Sequence, residues 1–288
     1  MRQNGVCVHC TCMTDYKTIL VASAIALAMA ACGNAATADP DTNATPTSMS
    51  YMDADATLAK AWEGVLAKRL SQPEAGTGLI RFDYKGFSES EAEMAVLDRY
   101  IAELANQSEP SDPADAAAYW ANLYNAVTVD VVADEYPVDS IRDIKSGVFK
   151  PGPWDKELVT VNGEELTLNN IEHDILRKRY ASPHVHYMVN CASVGCPNLL
   201  PDLWDGATLE ADREAAARAF INSPRGVKIE DGKTTVSSIY SWFQEDFGGS
   251  KSGVIDHIRE YADADLKAAL GGATKYDRHD YDWSLNGQ

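Results

Sequence analysis

The chain has 288 residues and a formal net charge of −18, from 25 Lys and Arg against 43 Asp and Glu. Phosphate backbones are held by clusters of Lys and Arg, and this sequence has no such cluster, which argues against nucleic acid as a partner. The same acidity argues against a domain embedded in an anionic lipid surface.

Residues 18–31, TILVASAIALAMAA, are apolar without interruption and precede Cys32, Gly33 and Asn34. A membrane-spanning helix needs about 20 apolar residues. This shorter run, ending in small residues, has the pattern of a cleaved export signal. Met29-Ala30-Ala31-Cys32 resembles the lipobox of bacterial lipoproteins. That resemblance implies acylation of Cys32, a lipid anchor in the membrane and a periplasm-facing place in the cell envelope. An ordinary secretory signal with an incidental cysteine is the other reading. Met13 is a better start than Met1, and starting there places Cys7, Cys10 and Cys12 outside the protein. Residues 33–50 hold almost no large apolar side chains and are expected to be a disordered tether. The expected organisation is a signal at 1–32, the tether at 33–50 and a globular domain at 51–288, long enough to bury a substantial core.

From Met52 to Leu70, Leu58, Trp62, Val65, Leu66 and Leu70 recur at helical spacing. GLIRFDY at 78–84 alternates as a short strand does. Ser88 and Glu91 form a capping-box pattern that opens a helix to about Gln107. Ala114 to Glu135 is rich in helix formers and apolar all around, predicting a buried central helix that ends near Pro137. Asn162-Gly163 and Asp231-Gly232 sit between alternating segments and predict two hairpins with type I′ turns. Residues 168–180 are predicted helical, VHYMVNCA at 185–192 a buried strand, and 208–222 and 237–247 helical again. No period of 20 to 50 residues repeats, which excludes solenoids and propellers. The mixed order predicts a single α+β domain, with helices around a small mixed or antiparallel sheet that holds both hairpins and the His186 strand.

Several polar residues interrupt these apolar segments. Asn122 and Asn125 share one face of the central helix, and each buried carboxamide must meet a loop backbone or a ligand. Glu172 and His173 are neighbours, and neighbours on an α-helix do not face one another, so no dyad is expected between them. His173 is the better general base. On a strand, His184 and His186 share a face with Asn190 while Cys191 points the other way. A metal held by His184, His186 and His173 lacks a helical ligand pattern and is not expected, nor is any cofactor. Cys191 and Cys196 flank a segment in which Gly195 and Pro197 permit a tight turn. They form either a disulfide, as close thiols in an oxidising compartment commonly do, or a reactive thiol centre.

Four motifs carry a family resemblance. They are Trp120-Ala121-Asn122-Leu123-Tyr124-Asn125-Ala126; Leu168 with Ile171-Glu172-His173 and Ile175-Leu176-Arg177; Asn190-Cys191-Ala192-Ser193 with Cys196-Pro197; and Ser238-Ile239-Tyr240-Ser241-Trp242 with Asp246-Phe247. In order and spacing they are similar to the family of domain of unknown function 547, over about residues 110–250. The closing Tyr281-Asp282-Trp283-Ser284-Leu285-Asn286 resembles that family's usual end. The resemblance implies a fold far more firmly than a reaction.

Two functions are consistent with the residues. The first is a papain-like or transglutaminase-like thiol enzyme acting on peptide, isopeptide or thioester bonds. In it Cys191 attacks, His173 is the base and Asn122 or Asn190 orients the imidazole or holds the oxyanion. The second is a non-catalytic envelope module with a Cys191–Cys196 disulfide, binding a small ligand or an envelope peptide. Asn125, Glu172, His186 and Asn190 are the further binding candidates.

Overall fold

The computed structural model describes residues 51–147 and 150–288. The export signal, the alternative start at Met13, the acylation candidate Cys32 and the tether lie outside the described residues.

Helices α1 (Tyr51–Arg69), α2 (Tyr84–Ser88), α3 (Glu91–Asn106) and α4 (Pro113–Asp134) open the fold. Helix α4 is started by Asp112, whose carboxylate accepts from the backbone N–H groups of Ala114 and Asp115, with Pro113 in the first turn. Its side chains from Ala116 to Val129 are all buried, as the apolar composition requires. Two expectations fail in this half. Residues 78–84 form only isolated bridges, from Phe82 to Leu70 and to Gly287. Ser88 ends α2, its hydroxyl donating to the Lys85 carbonyl, so Ser90 rather than Ser88 precedes α3.

Strands β1 (Lys145–Gly147) and β2 (Lys150–Pro151) pair antiparallel. Strands β3 (Val159–Val161) and β4 (Glu164–Leu166) form the first predicted hairpin, with Asn162 at φ 52° and Gly163 at φ 85°. A π-helix, Asn170–Leu176, runs into α5 (Arg177–Tyr180), followed by α6 (Val185–Met188) and α7 (Leu209–Ile221). Strands β5 (Val227–Glu230) and β6 (Lys233–Ser237) form the second predicted hairpin around Asp231-Gly232. Then come α8 (Ser238–Trp242), a 3₁₀ turn at Gln244–Phe247, α9 (Lys251–Tyr261) and α10 (Ala264–Leu270). Finally β7 (Arg278–Asp280) runs parallel to β6. The class is α+β, with a mixed three-stranded sheet β5-β6-β7 and two separate two-stranded hairpins. The hairpins therefore do not share one sheet.

The predicted strand at 185–192 is also corrected: His186 stands on α6, a single helical turn. Ser182 caps the turn, its hydroxyl accepting from the His184 N–H, and the Pro183 and His184 carbonyls accept from His186 and Tyr187. A short apolar run fits a strand and a helical turn equally well by periodicity, and here Ser182-Pro183 decides for the turn.

One core joins α1 to α4 with the π-helix, through Phe82, Leu97, Leu123, Tyr124, Ile171 and Leu176. A second joins α7, α9 and β6, through Phe220, Val236, Tyr240, Phe247 and Ile255. Residues 185–189 run between them, with Val185 and Val189 in the first core and Tyr187 in the second. Among the described residues no helix is long and apolar enough to cross a membrane.

Candidate functional site

A half-open cleft of about 190 Å³ lies beside this junction. One wall is aromatic. Trp242 and Trp283 stack with centroids 5.6 Å apart and 27° between planes, and Tyr281 packs against both at 4.8 and 4.6 Å. Trp154 meets Trp283 edge-on, and Trp242 is 46% exposed, a large apolar surface offered to solvent. Glu172, His173, Phe243 and His186 also line the cleft.

The π-helix positions Glu172 and His173. Its start is pinned by Asn170, whose amide oxygen accepts from the Thr167 backbone N–H at 3.0 Å, and its end by the Arg177 N–H donating to the Glu172 carbonyl. The i to i+5 bond widens the turn, a distortion found mostly at functional sites. Both neighbours reach the cleft, and His173 Nδ1 lies 3.9 Å from Glu172 Oε1. At this separation the two are beyond hydrogen-bond distance. Arg177 Nη1 lies 3.4 Å from His173 Nδ1. The Arg177 guanidinium and the Glu172 carboxylate thus both stand near the same ring nitrogen.

His186 donates from Nε2 to Asp246 Oδ2 at 2.7 Å and stacks on Phe243 at 4.5 Å. Arg177 reaches the same carboxylate from Nε at 2.7 Å, and its guanidinium lies over the Phe243 ring. Burial opposes ionisation of Asp246, but the hydrogen bonds from His186 and Arg177 outweigh it and hold the pKa down at about 2. Tyr124, fully buried at the cleft, is pushed far above the ordinary tyrosine value by desolvation and by the Glu172 charge, so its hydroxyl keeps its proton.

The cysteine loop forms the remaining wall. The sulfurs of Cys191 and Cys196 are brought together as a candidate disulfide, with Cα atoms 6.2 Å apart. Cys196 Sγ accepts from the Cys191 N–H at 3.0 Å and from the Tyr281 hydroxyl at 3.2 Å. Cys191 Sγ contacts the Ser193 and Tyr281 hydroxyls, each at 3.1 Å. Ala192 adopts φ 57°, in the left-handed region disfavoured for a residue with a Cβ. The C-terminal tail clamps the loop: Val194 and Gly195 donate to the Ser284 and Asp282 carbonyls, and Asn286 donates to that of Ala192. Gly195 is required by this clamp, since a Cβ there would stand 2.9 Å from the Tyr281 ring.

The structure brings Cys191, Cys196, Glu172, His173 and His186 to one cleft. With no strand to alternate, His186 and Cys191 face the same space, contrary to the opposite faces expected. The three asparagines are braces. Asn122 donates to the Trp204 carbonyl and accepts from the Trp204 N–H, at 2.9 and 3.0 Å. Asn125 does the same between the Met188 carbonyl and the Asn190 N–H. Asn190 donates to the Pro197 carbonyl and accepts from the Ala192 N–H. Asn122, offered as an orienting group for the imidazole, therefore holds the backbone that follows the cysteines. Sequence reasoning missed Trp154, Arg177, Phe243, Asp246, Tyr281 and Trp283. Their available signal was the closing Tyr281-Asp282-Trp283 run and the density of aromatic residues near Trp242.

No curated protein and no solved structure matches this chain. A family model matches residues 109–221, stopping short of the 250 expected, and spans α4, the π-helix and both cysteines while leaving Trp242, Asp246, Tyr281 and Trp283 outside. By that match, residues 109–221 of this chain are similar to the family described as protein of unknown function, DUF547.

Proposed function

We infer that the chain is a lipid-anchored extracytoplasmic binding module whose aromatic cleft takes a small ligand. The observation that carries this reading is the composition of the cleft: a packed aromatic cluster of Trp242, Trp283 and Tyr281 lines it together with Glu172 and His173. Ligand sites are mostly apolar with a few convergent polar groups. Stacked indoles favour a ligand with a flat or ring-shaped apolar face, and the carboxylate and imidazole favour hydrogen-bonding groups at its rim. The test is intrinsic fluorescence titration with a panel of amino acids, short peptides and sugars. A saturable change that Trp242→Ala removes supports the reading, and a flat response across the panel contradicts it. The anchor is tested separately. Cys32→Ser should abolish incorporation of labelled fatty acid, and labelling that survives the substitution rules out that acylation site.

A thiol hydrolase or transferase is the second reading, favoured by one observation: Cys191 and His173 line the same cleft. Against it, the groups in contact with the Cys191 sulfur are the Ser193 and Tyr281 hydroxyls, and His173 Nδ1 is engaged by Arg177. Hydrolysis of a thioester probe by the reduced protein, lost in Cys191→Ala, would restore this reading.

A further inference from the structure

The two sulfurs of the cysteine pair stand in unequal surroundings. Cys191 is partly exposed on the cleft wall, whereas Cys196 is 5% exposed. Cys196 Sγ accepts from a fixed backbone donor, the Cys191 N–H at 3.0 Å, and the Tyr281 hydroxyl stands between the two sulfurs, 3.2 Å from Cys196 Sγ and 3.1 Å from Cys191 Sγ, with the Ser193 hydroxyl 2.8 Å away. The Arg225 guanidinium also lies against this residue, donating to the Cys196 carbonyl at 2.5 Å and to the Val194 carbonyl at 3.2 Å. Donors and a nearby cation stabilise a thiolate. Thiol–disulfide exchange is attack by a thiolate on one sulfur with expulsion of the other, and it is faster when the leaving thiolate is better stabilised. One sulfur here is open to attack, and the other is built to leave.

We propose that Cys191–Cys196 is an exchangeable disulfide that reacts at Cys191 with a low-molecular-weight thiol entering the aromatic cleft. The attacking thiol gives its proton to solvent, and its sulfur bonds to Cys191 Sγ. The Cys191–Cys196 bond breaks, and its electron pair departs on Cys196 Sγ, where the Cys191 N–H and the Tyr281 hydroxyl receive the charge. A second small thiol then attacks the mixed disulfide, leaving two reduced cysteines and one small-molecule disulfide. Two electrons pass from two thiols to the protein. Tyr281 touches both sulfurs and is the catalytic donor of the step. The cleft of about 190 Å³ limits the thiol to a small one. This activity goes beyond ligand binding and does not depend on it, because fluorescence titration of the oxidised protein tests the binding reading alone.

The experiment uses the oxidised full-length mature protein. It is mixed with cysteine under native conditions, quenched with acid, alkylated and peptide-mapped. The expected result is a cysteine adduct on Cys191 with Cys196 alkylated, and exchange slowed on the order of tenfold in Tyr281→Phe. Circular dichroism of that variant checks that the fold is kept, and if it is not, the adduct position in the unsubstituted protein decides. Adducts on Cys196, adducts shared equally between the two cysteines, or no exchange until denaturant is added would each overturn the proposal.

Discussion

Asp246 joins His186 of the cleft lining to Arg177, accepting from both, while Glu245 takes the far end of the same guanidinium. Its pKa of about 2 in the fold lies below the value near 4 of an unfolded aspartate. The pairing therefore stabilises the fold fully above about pH 4 and is lost as pH falls through about 2. Asp246→Asn should cost about 1–2 kcal/mol at pH 7, less than full conversion of the shift because the carboxylate is partly exposed. Denaturant melts should show the gap to the unsubstituted protein closing between about pH 4 and pH 2. A gap that stays constant with pH would assign the loss to packing. Asp130 has the opposite sign. Burial in α4, reinforced by Asp134 and Asp98, pushes its carboxyl up to about 7. The folded protein keeps this proton through a range where the unfolded chain has lost it, so stability falls as pH rises from about 4 to 7. Asp130→Asn should raise stability at pH 8 by about 1–3 kcal/mol and change little at pH 4. No gain at pH 8 would mean that the carboxylate is solvated.

At the scale of elements, α4 serves as a ruler on which Asn122 and Asn125 set the height of the cysteine loop. Asn125→Ala leaves the buried Asn190 N–H without its acceptor and removes one of two donors to the Met188 carbonyl, which keeps the Trp204 indole N–H at 3.0 Å. It should cost about 2–3 kcal/mol in thermal or denaturant melts. A change near zero would mean that water reaches the loop. Helix α4 was legible in the sequence because its composition and the Asp112-Pro113 start agree, and both hairpins were legible because Asn-Gly and Asp-Gly supply the positive φ that their turns require. The π-helix was not, since a widened turn has the same composition as an ordinary one. Glu172 and His173 both line the cleft from that widened turn. The turn at 185–188 was not legible either, and with it went the reasoning that separated His186 from Cys191.

Across the whole molecule, the cleft is assembled from distant stretches: Tyr124 of α4, Trp154, the π-helix, the cysteine loop, α8 with Phe243, and the C-terminal tail. Tyr281 contacts Cys191 across 90 residues of sequence, so half of the aromatic wall lay beyond any local pattern. The cysteine pair itself was legible as an alternative, disulfide or thiol, because spacing alone permits both. The exchange proposal rests on one premise, that Cys191 and Cys196 are joined in the protein as it functions, and a joined pair also removes the nucleophile of the thiol-enzyme reading. The most direct test is alkylation of the protein isolated from its native cells without reductant, denatured and mapped at both positions with and without reductant. The account predicts that neither cysteine is alkylated before reduction and both are afterwards; alkylation of both without reductant would contradict it.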